Sequence, residues 1–181
     1  PVPWAEALVD FRNHSIKITA YVNFKGINLT ADEFDNLQLL CMQGVHHYWS
    51  RHIWVDEASY SVSIHVIPRR QNALTIDLSV NSSTQYMKSR NPMIFGLHAR
   101  LVYNRLHFPS FYLDRQDFKF AAAHTFGHSI LYAFGGIQLS WSHKGSSHLI
   151  TDTPVENASG YPRTGPIDLM RAYDYTKCPV S

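Results

Sequence analysis

An α+β fold, with a short β-sheet packed on helices, is what this sequence predicts. Three observations carry it. Alternating apolar residues mark three separate strands. A capping box followed by apolar residues at helical spacing marks one helix. An alanine-rich apolar stretch ending in Gly135-Gly136 marks a second, buried helix. The 181 residues suit one domain over 1–181, with room for a core of its own. No internal repeat or linker divides them.

The first strand is Ser15 to Phe24, where Ile16, Ile18, Ala20, Val22 and Phe24 alternate with Lys17, Thr19, Tyr21 and Asn23. Thr30 then opens a helix, with Glu33 three residues on to complete a capping box. Phe34, Leu37, Cys41, Val45 and Tyr48 continue it at helical spacing, which predicts a helix to about Ile53. Tyr60, Val62, Ile64 and Val66 alternate as a second strand, stopped by Pro68, and Ala73 to Val80 reads as a third. Asn81 to Asn91 is polar and reads as a surface loop, and Pro92 to Leu106 as a helix. Asp117 to Phe134 is expected to be the buried central helix, with Gly135-Gly136 as its stop. Leu139 to Pro162 is a long connection rich in Ser, Gly, Thr, His and Pro, of a length that is often functional. Thr164-Gly165-Pro166 predicts the start of a last helix, running to about Tyr175.

Composition excludes several classes. With 45% hydrophobic, 13% aromatic and only 17% charged residues, the chain is too apolar to be disordered or low-complexity. A net charge of +2, with no basic stripe beyond the pair Arg69-Arg70, argues against nucleic acid as a partner. No apolar run reaches the length of a membrane helix. Pro1-Val2-Pro3-Trp4 lacks both a starting Met and the pattern of a signal peptide, as expected of a domain taken from a longer chain. Cys41 and Cys178 are too few for a disulfide framework, and Cys41 falls on an apolar helix face as a buried thiol. Glycosylation sequons at Asn13, Asn28, Asn81 and Asn157 matter only in a secreted eukaryotic protein.

The conspicuous residue is histidine, with eleven copies against fourteen carboxylates. His124 and His128 lie four apart on the central helix, so both imidazoles share one face. Two such rings can bind one tetrahedral zinc ion and leave two positions open. Spacing alone is weak, because eleven histidines in this length give about 0.65 such pairs by chance. Context strengthens it: a buried histidine is expensive without a partner. Two readings stay open, a metal site and a pair of core histidines satisfied by hydrogen bonds. His46, His47 and His52 read as helix surface or sheet-facing packing, and His143 and His148 as loop residues that can reach a substrate or simply face water. Trp141 and Tyr161 line a cleft or cover the core. Gly135-Gly136 follows a helix instead of preceding one, so it forms no phosphate cradle.

The stretch Ala121-Ala122-Ala123-His124-Thr125-Phe126-Gly127-His128-Ser129-Ile130-Leu131 resembles the active-site helix of a bacterial zinc metallopeptidase (zincin) family. The nearest likeness is to the C-terminal effector domain of a type VI secretion valine-glycine-repeat spike protein. Leu139-Ser140-Trp141-Ser142-His143-Lys144-Gly145, Thr164-Gly165-Pro166-Ile167-Asp168-Leu169-Met170 and the Asn91-Pro92 region share the likeness. The resemblance implies a zincin-like fold, a Zn²⁺ cofactor, a peptide or protein substrate, and a place in a longer spike chain. It also implies secretion into the periplasm or cytoplasm of a target cell. By residue, it implies His124 and His128 as zinc ligands. It places a general-base Glu where this chain has Thr125, and a third-ligand Glu where this chain has Ala172. A threonine hydroxyl cannot take a proton from zinc-bound water near neutral pH, and general-base catalysis contributes about 10²–10⁴-fold. Peptide hydrolysis is therefore expected to be impaired. Asp168 is the nearest substitute for the third ligand, with a plain helix N-terminal charge as its alternative role. Asp174, Glu156 and His143 are further candidates. The reading from a different class is a non-catalytic binding or scaffold module that keeps the fold without metal.

Overall fold

In a computed structural model of the chain, the described residues are 2–90, 98–135, 158–160, 169–171, 173–174 and 176–177, without the side chains of 131, 134 and 135. They form a mixed α+β structure, a curled six-stranded sheet with two helices. In chain order these are β1 (Ala5–Asp10), β2 (Ser15–Gly26), α1 (Ala31–Trp49), β3 (Arg51–Val55), β4 (Ala58–Pro68), β5 (Leu74–Asn81), β6 (Ala99–Asn104) and α2 (Phe111–Gly135).

The long strand β2 organises the sheet. It runs parallel to β4 from Ser15 to Val22. It also pairs antiparallel with β1 over its first half and parallel with β5 from Val22 to Gly26. β5 carries β6 in parallel, and β3 closes the other end of the sheet by an antiparallel pairing with β4. Period-two alternation puts Ala20, Val22 and Phe24 of β2 on the same buried side as Ile64, Val66, Ile76, Leu78, Leu101 and Tyr103. Leu37, Leu40, Cys41 and Val45 of α1 and Phe118, Ala122 and Phe126 of α2 complete that core. The capping box at Thr30 and Glu33 is present, and burial pushes the Cys41 thiol up to about 12.

The two helices meet at a point where only glycine fits. A Cβ on Gly44 would lie 2.3 Å from the Lys119 carbonyl oxygen, so the backbones of α1 and α2 touch there. Beyond the end of β3, the free edge of β4 is closed by α1. The His46 ring bonds the Ile64 carbonyl at 2.7 Å, and the Ile64 amide donates to the Ser50 hydroxyl at 3.0 Å.

Several expectations require correction. α1 ends at Trp49, not near Ile53, because residues 51–55 leave the helix to pair with β4. The turn that reverses this hairpin has positive φ at both Asp56 and Glu57, the geometry that suits a tight two-residue connection. His52 therefore lies on a strand. The Pro92–Leu106 helix is replaced over its described part by β6, where pairing with β5 overrides helical propensity. α2 starts at Phe111, six residues before the expected Asp117. The described residues of the expected last helix are not helical: 169–170 form a turn, Arg171 is an isolated bridge residue, and 173–174 are irregular. β1 is a strand that the alternation did not reveal.

The 82–90 segment is more than a surface loop. Asn104 Oδ1 accepts from the Met87 amide at 2.9 Å and from Asn81 Nδ2 at 2.9 Å. Ser89 Oγ accepts from the Val102 amide at 3.0 Å. These bonds seal the outer side of β5 and β6, and they bury Asn81, which removes that sequon from reach.

Candidate metal centre

The site grows out of the way α2 is buried. Phe118, Ala122 and Phe126 face the sheet core, whereas Phe120 and Ala123 face a second cluster with Leu169 and Tyr173. His124 lies between these faces, and His128 follows one turn later on the same stripe. Leu169 and Tyr173 are held against α2 by this second cluster, to which Tyr48 and Trp49 of α1 add their rings.

The two imidazoles converge. His124 Nε2 and His128 Nε2 are 3.1 Å apart, with ring centroids 4.7 Å apart and ring planes at 87°. Two nitrogens bound to one tetrahedral zinc ion at 2.0–2.1 Å would be about 3.3 Å apart, so the pair fits one ion with little adjustment. His124 Nδ1 lies 2.5 Å from the Leu169 carbonyl oxygen. A carbonyl only accepts, so Nδ1 carries the proton, and in the neutral ring the Nε2 lone pair faces His128. A bond of this kind would orient the ring if it were to ligate a metal. The same 3.1 Å also suits a hydrogen bond from a His128 Nε2–H to His124 Nε2. Phe120 stacks beside His124, with centroids 6.4 Å apart and planes 20° from parallel. His128 is 7% exposed, so its ring is largely withdrawn from bulk water.

Thr125, the base position, is 3% exposed and carries no group able to take a proton. Asp168, Ala172, His143, Glu156, His148, Trp141 and Tyr161 lie outside the described residues. Asp174 has another task. Its carboxylate accepts from the Thr176 amide and hydroxyl at 3.1 and 2.6 Å and pairs with Lys177 at 3.3 Å. Partial burial raises its pKa, but these donors outweigh that and hold it below the ordinary carboxylate value. Among the described residues, no group of three or more His, Cys, Asp or Glu side chains is placed to hold one metal ion.

Two features beside His124, and one two turns earlier on α2, carry no sequence signal. The Leu169 carbonyl is a backbone group, so no residue type announces it. Trp49 donates from its indole Nε1 to the Ala123 carbonyl at 2.9 Å, beside His124. Asp117 lies two helical turns before His124, 1% exposed. Its Oδ2 is 3.5 Å from the Tyr86 hydroxyl, and its Oδ1 has no hydrogen-bond partner. Burial drives its pKa up to about 8, the Tyr86 bond opposes this, and Asp114 adds to the rise.

No family model, curated protein or solved structure matches this chain.

Proposed function

We propose that the protein is a zincin-like metal-binding domain in which His124 and His128 hold Zn²⁺ and peptide hydrolysis is impaired. The observation that carries this reading is the pair of Nε2 atoms 3.1 Å apart, with the proton of His124 drawn to Nδ1 by the Leu169 carbonyl. The helix sequence from Ala121 to Leu131 supports it by its likeness to metallopeptidase active-site helices. A zinc ion there would act as a Lewis acid toward a peptide carbonyl and lower the pKa of bound water. In this chain the Leu169 carbonyl orients the His124 ring, and the His128 ring is largely buried. None of the described residues beside them supplies the base. By the same likeness, the domain belongs to the effector end of a type VI secretion spike, is delivered into a target cell, and acts on a peptide or protein.

A second reading is favoured by Thr125. With a buried hydroxyl at the base position and a geometry that also suits a His–His hydrogen bond, the domain is a binding or scaffold module that keeps the fold without metal. Zinc titration of chelator-treated protein by calorimetry, with the His124→Ala and His128→Ala variants alongside, separates the two. Stoichiometric binding that both variants abolish supports the first reading. No heat and no bound zinc in the wild type leaves the second.

A further inference from the structure

Gly127 lies on α2 between His124 and His128, and its missing side chain leaves a notch. A Cβ built there would be 2.6 Å from Met170 Sδ and 3.0 Å from the Trp49 ring. The Met170 thioether therefore occupies volume that any other residue at 127 would claim, with the Trp49 ring as the opposing wall. That wall is fixed, because the Trp49 indole is bonded to the Ala123 carbonyl at 2.9 Å. Met170 directly follows Leu169, whose side chain is buried in the second cluster and whose carbonyl meets His124 Nδ1 at 2.5 Å. A hydrogen bond weakens steeply as its donor and acceptor move out of line, so the place of the Leu169 carbonyl bears directly on the His124 ring.

We infer that Gly127 and Met170 form a plug-and-notch contact that positions His124: the depth to which Met170 enters the notch sets where the Leu169 carbonyl lies, and hence which ring nitrogen of His124 is protonated. Gly127 and Met170 are positioning residues, acting on His124 through the Leu169 carbonyl. The consequence for metal affinity rests on the zinc reading above. The consequence for the tautomer does not, because the Leu169 bond exists without metal. Loss of an outer bond of this kind weakens metal affinity by about 10–100-fold.

The test reads the His124 tautomer by ¹⁵N side-chain NMR on the metal-free full chain at a pH where the ring is neutral. The wild type is expected to show one dominant form, protonated at Nδ1. Gly127→Val fills the notch and is expected to give a mixture of tautomers. Gly127→Val combined with Met170→Ala removes the plug and is expected to restore the Nδ1–H form. Met170→Phe overfills the notch from the other side with the α2 sequence unchanged, and it decides the matter if Gly127→Val does not fold. A folded Gly127→Val or Met170→Phe protein that keeps the wild-type tautomer overturns the inference, since Met170 then swings aside without moving Leu169. Failure of the double variant to restore the tautomer overturns it as well. Zinc binding is measured separately on the same samples. Should the tautomer respond while zinc never binds, the metal reading fails and the positioning contact stands.

Discussion

The indole Nε1 of Trp49 donates a 2.9 Å hydrogen bond to the carbonyl of Ala123, the residue immediately before His124. The last turn of α1 is thereby tied to the middle of α2, at the point where the site begins. Trp49 also meets Phe126 edge-on, with ring centroids 6.3 Å apart. Trp49→Phe keeps much of the ring but removes the donor. A net hydrogen bond contributes about 0.5–1.5 kcal/mol, and the smaller ring loses some packing. Urea unfolding should show a loss of about 1–2 kcal/mol with an unchanged slope, since the area exposed on unfolding hardly changes. A variant as stable as the wild type would mean that the bond contributes nothing.

If His124 and His128 share a zinc ion, added zinc stabilises the folded state by mass action, by about 2.7 kcal/mol at one hundred times the dissociation constant. The melting temperature of chelator-treated wild type should rise with zinc, and that of His124→Ala and His128→Ala should not. Protons compete for the same imidazole nitrogens, so the shift should shrink as pH falls below about 6.5, where free histidines protonate. A zinc-induced shift that survives in both variants would place the ion elsewhere.

Much of the sheet and the start of α1 were legible in the sequence, because they are governed by local pattern. The alternation in Ser15–Phe24 is that of a strand half-buried under helices, and Thr30 with Glu33 is a self-contained capping signal. β6 escapes a reading of the sequence because parallel pairing with β5 is a long-range interaction, and 99–104 lacks the alternation that would reveal it: Leu101, Val102, Tyr103 and Asn104 are all buried, and Asn104 is bonded to Met87 of the 82–90 segment. The boundary between α1 and β3 has no local signal, because Ile53 fits helical spacing as well as it fits a strand and the turn at Asp56-Glu57 contains no glycine. In the site, the shared face of His124 and His128 follows from their spacing, but their orientation depends on a backbone carbonyl 45 residues away. The buried carboxyl of Asp117, with its Oδ1 unpaired, is equally hidden, since an aspartate early in a helix reads as an ordinary N-terminal charge.

Thr125→Glu tests the missing base. If the site still holds zinc with a third ligand, a carboxylate at this position can take a proton from bound water, and peptidase activity should rise by about 10²–10⁴-fold over the wild type. Position 125 is 3% exposed, so an ionised Glu that finds no partner there is destabilising. The two outcomes are separated by measuring hydrolysis of a fluorogenic peptide library together with the melting temperature. A folded, zinc-loaded Thr125→Glu protein without any gain in hydrolysis would count against the metallopeptidase likeness.

Gly44→Ala probes the contact between the helices. In an exposed helix this change stabilises by about 1 kcal/mol, because alanine is the better helix former. Here the added Cβ would meet the carbonyl oxygen, Cα and carbonyl carbon of Lys119 at 2.3, 2.7 and 2.8 Å, and backbone cannot rotate out of the way. α1 and α2 must move apart, and the core between them loosens. The expected net effect in chemical unfolding is a loss of about 1–3 kcal/mol, the range of overpacked cores. An increase in stability would show that the helices separate freely.

Asp117 should make the protein more stable in mild acid than in mild base. Its carboxyl is fully withdrawn from water, and its pKa rises from an ordinary 3.8 to about 8, through burial first and the neighbouring Asp114 charge in addition. The folded state therefore holds a proton between pH 4 and 8 that the unfolded state has released. With more protons bound in the folded form, stability falls as pH rises through this window, by at most about 1.4 kcal/mol per pH unit from this group. Below pH 4 both states are protonated, and above pH 8 both are ionised, so the contribution levels off at each end. Asp117→Asn keeps the shape of the protonated carboxyl and abolishes the titration. It should be neutral near pH 4 and increasingly stabilising toward pH 8, and it should flatten the dependence of urea stability on pH. Parallel curves for wild type and Asp117→Asn across that range would show that Asp117 does not titrate there in the folded protein.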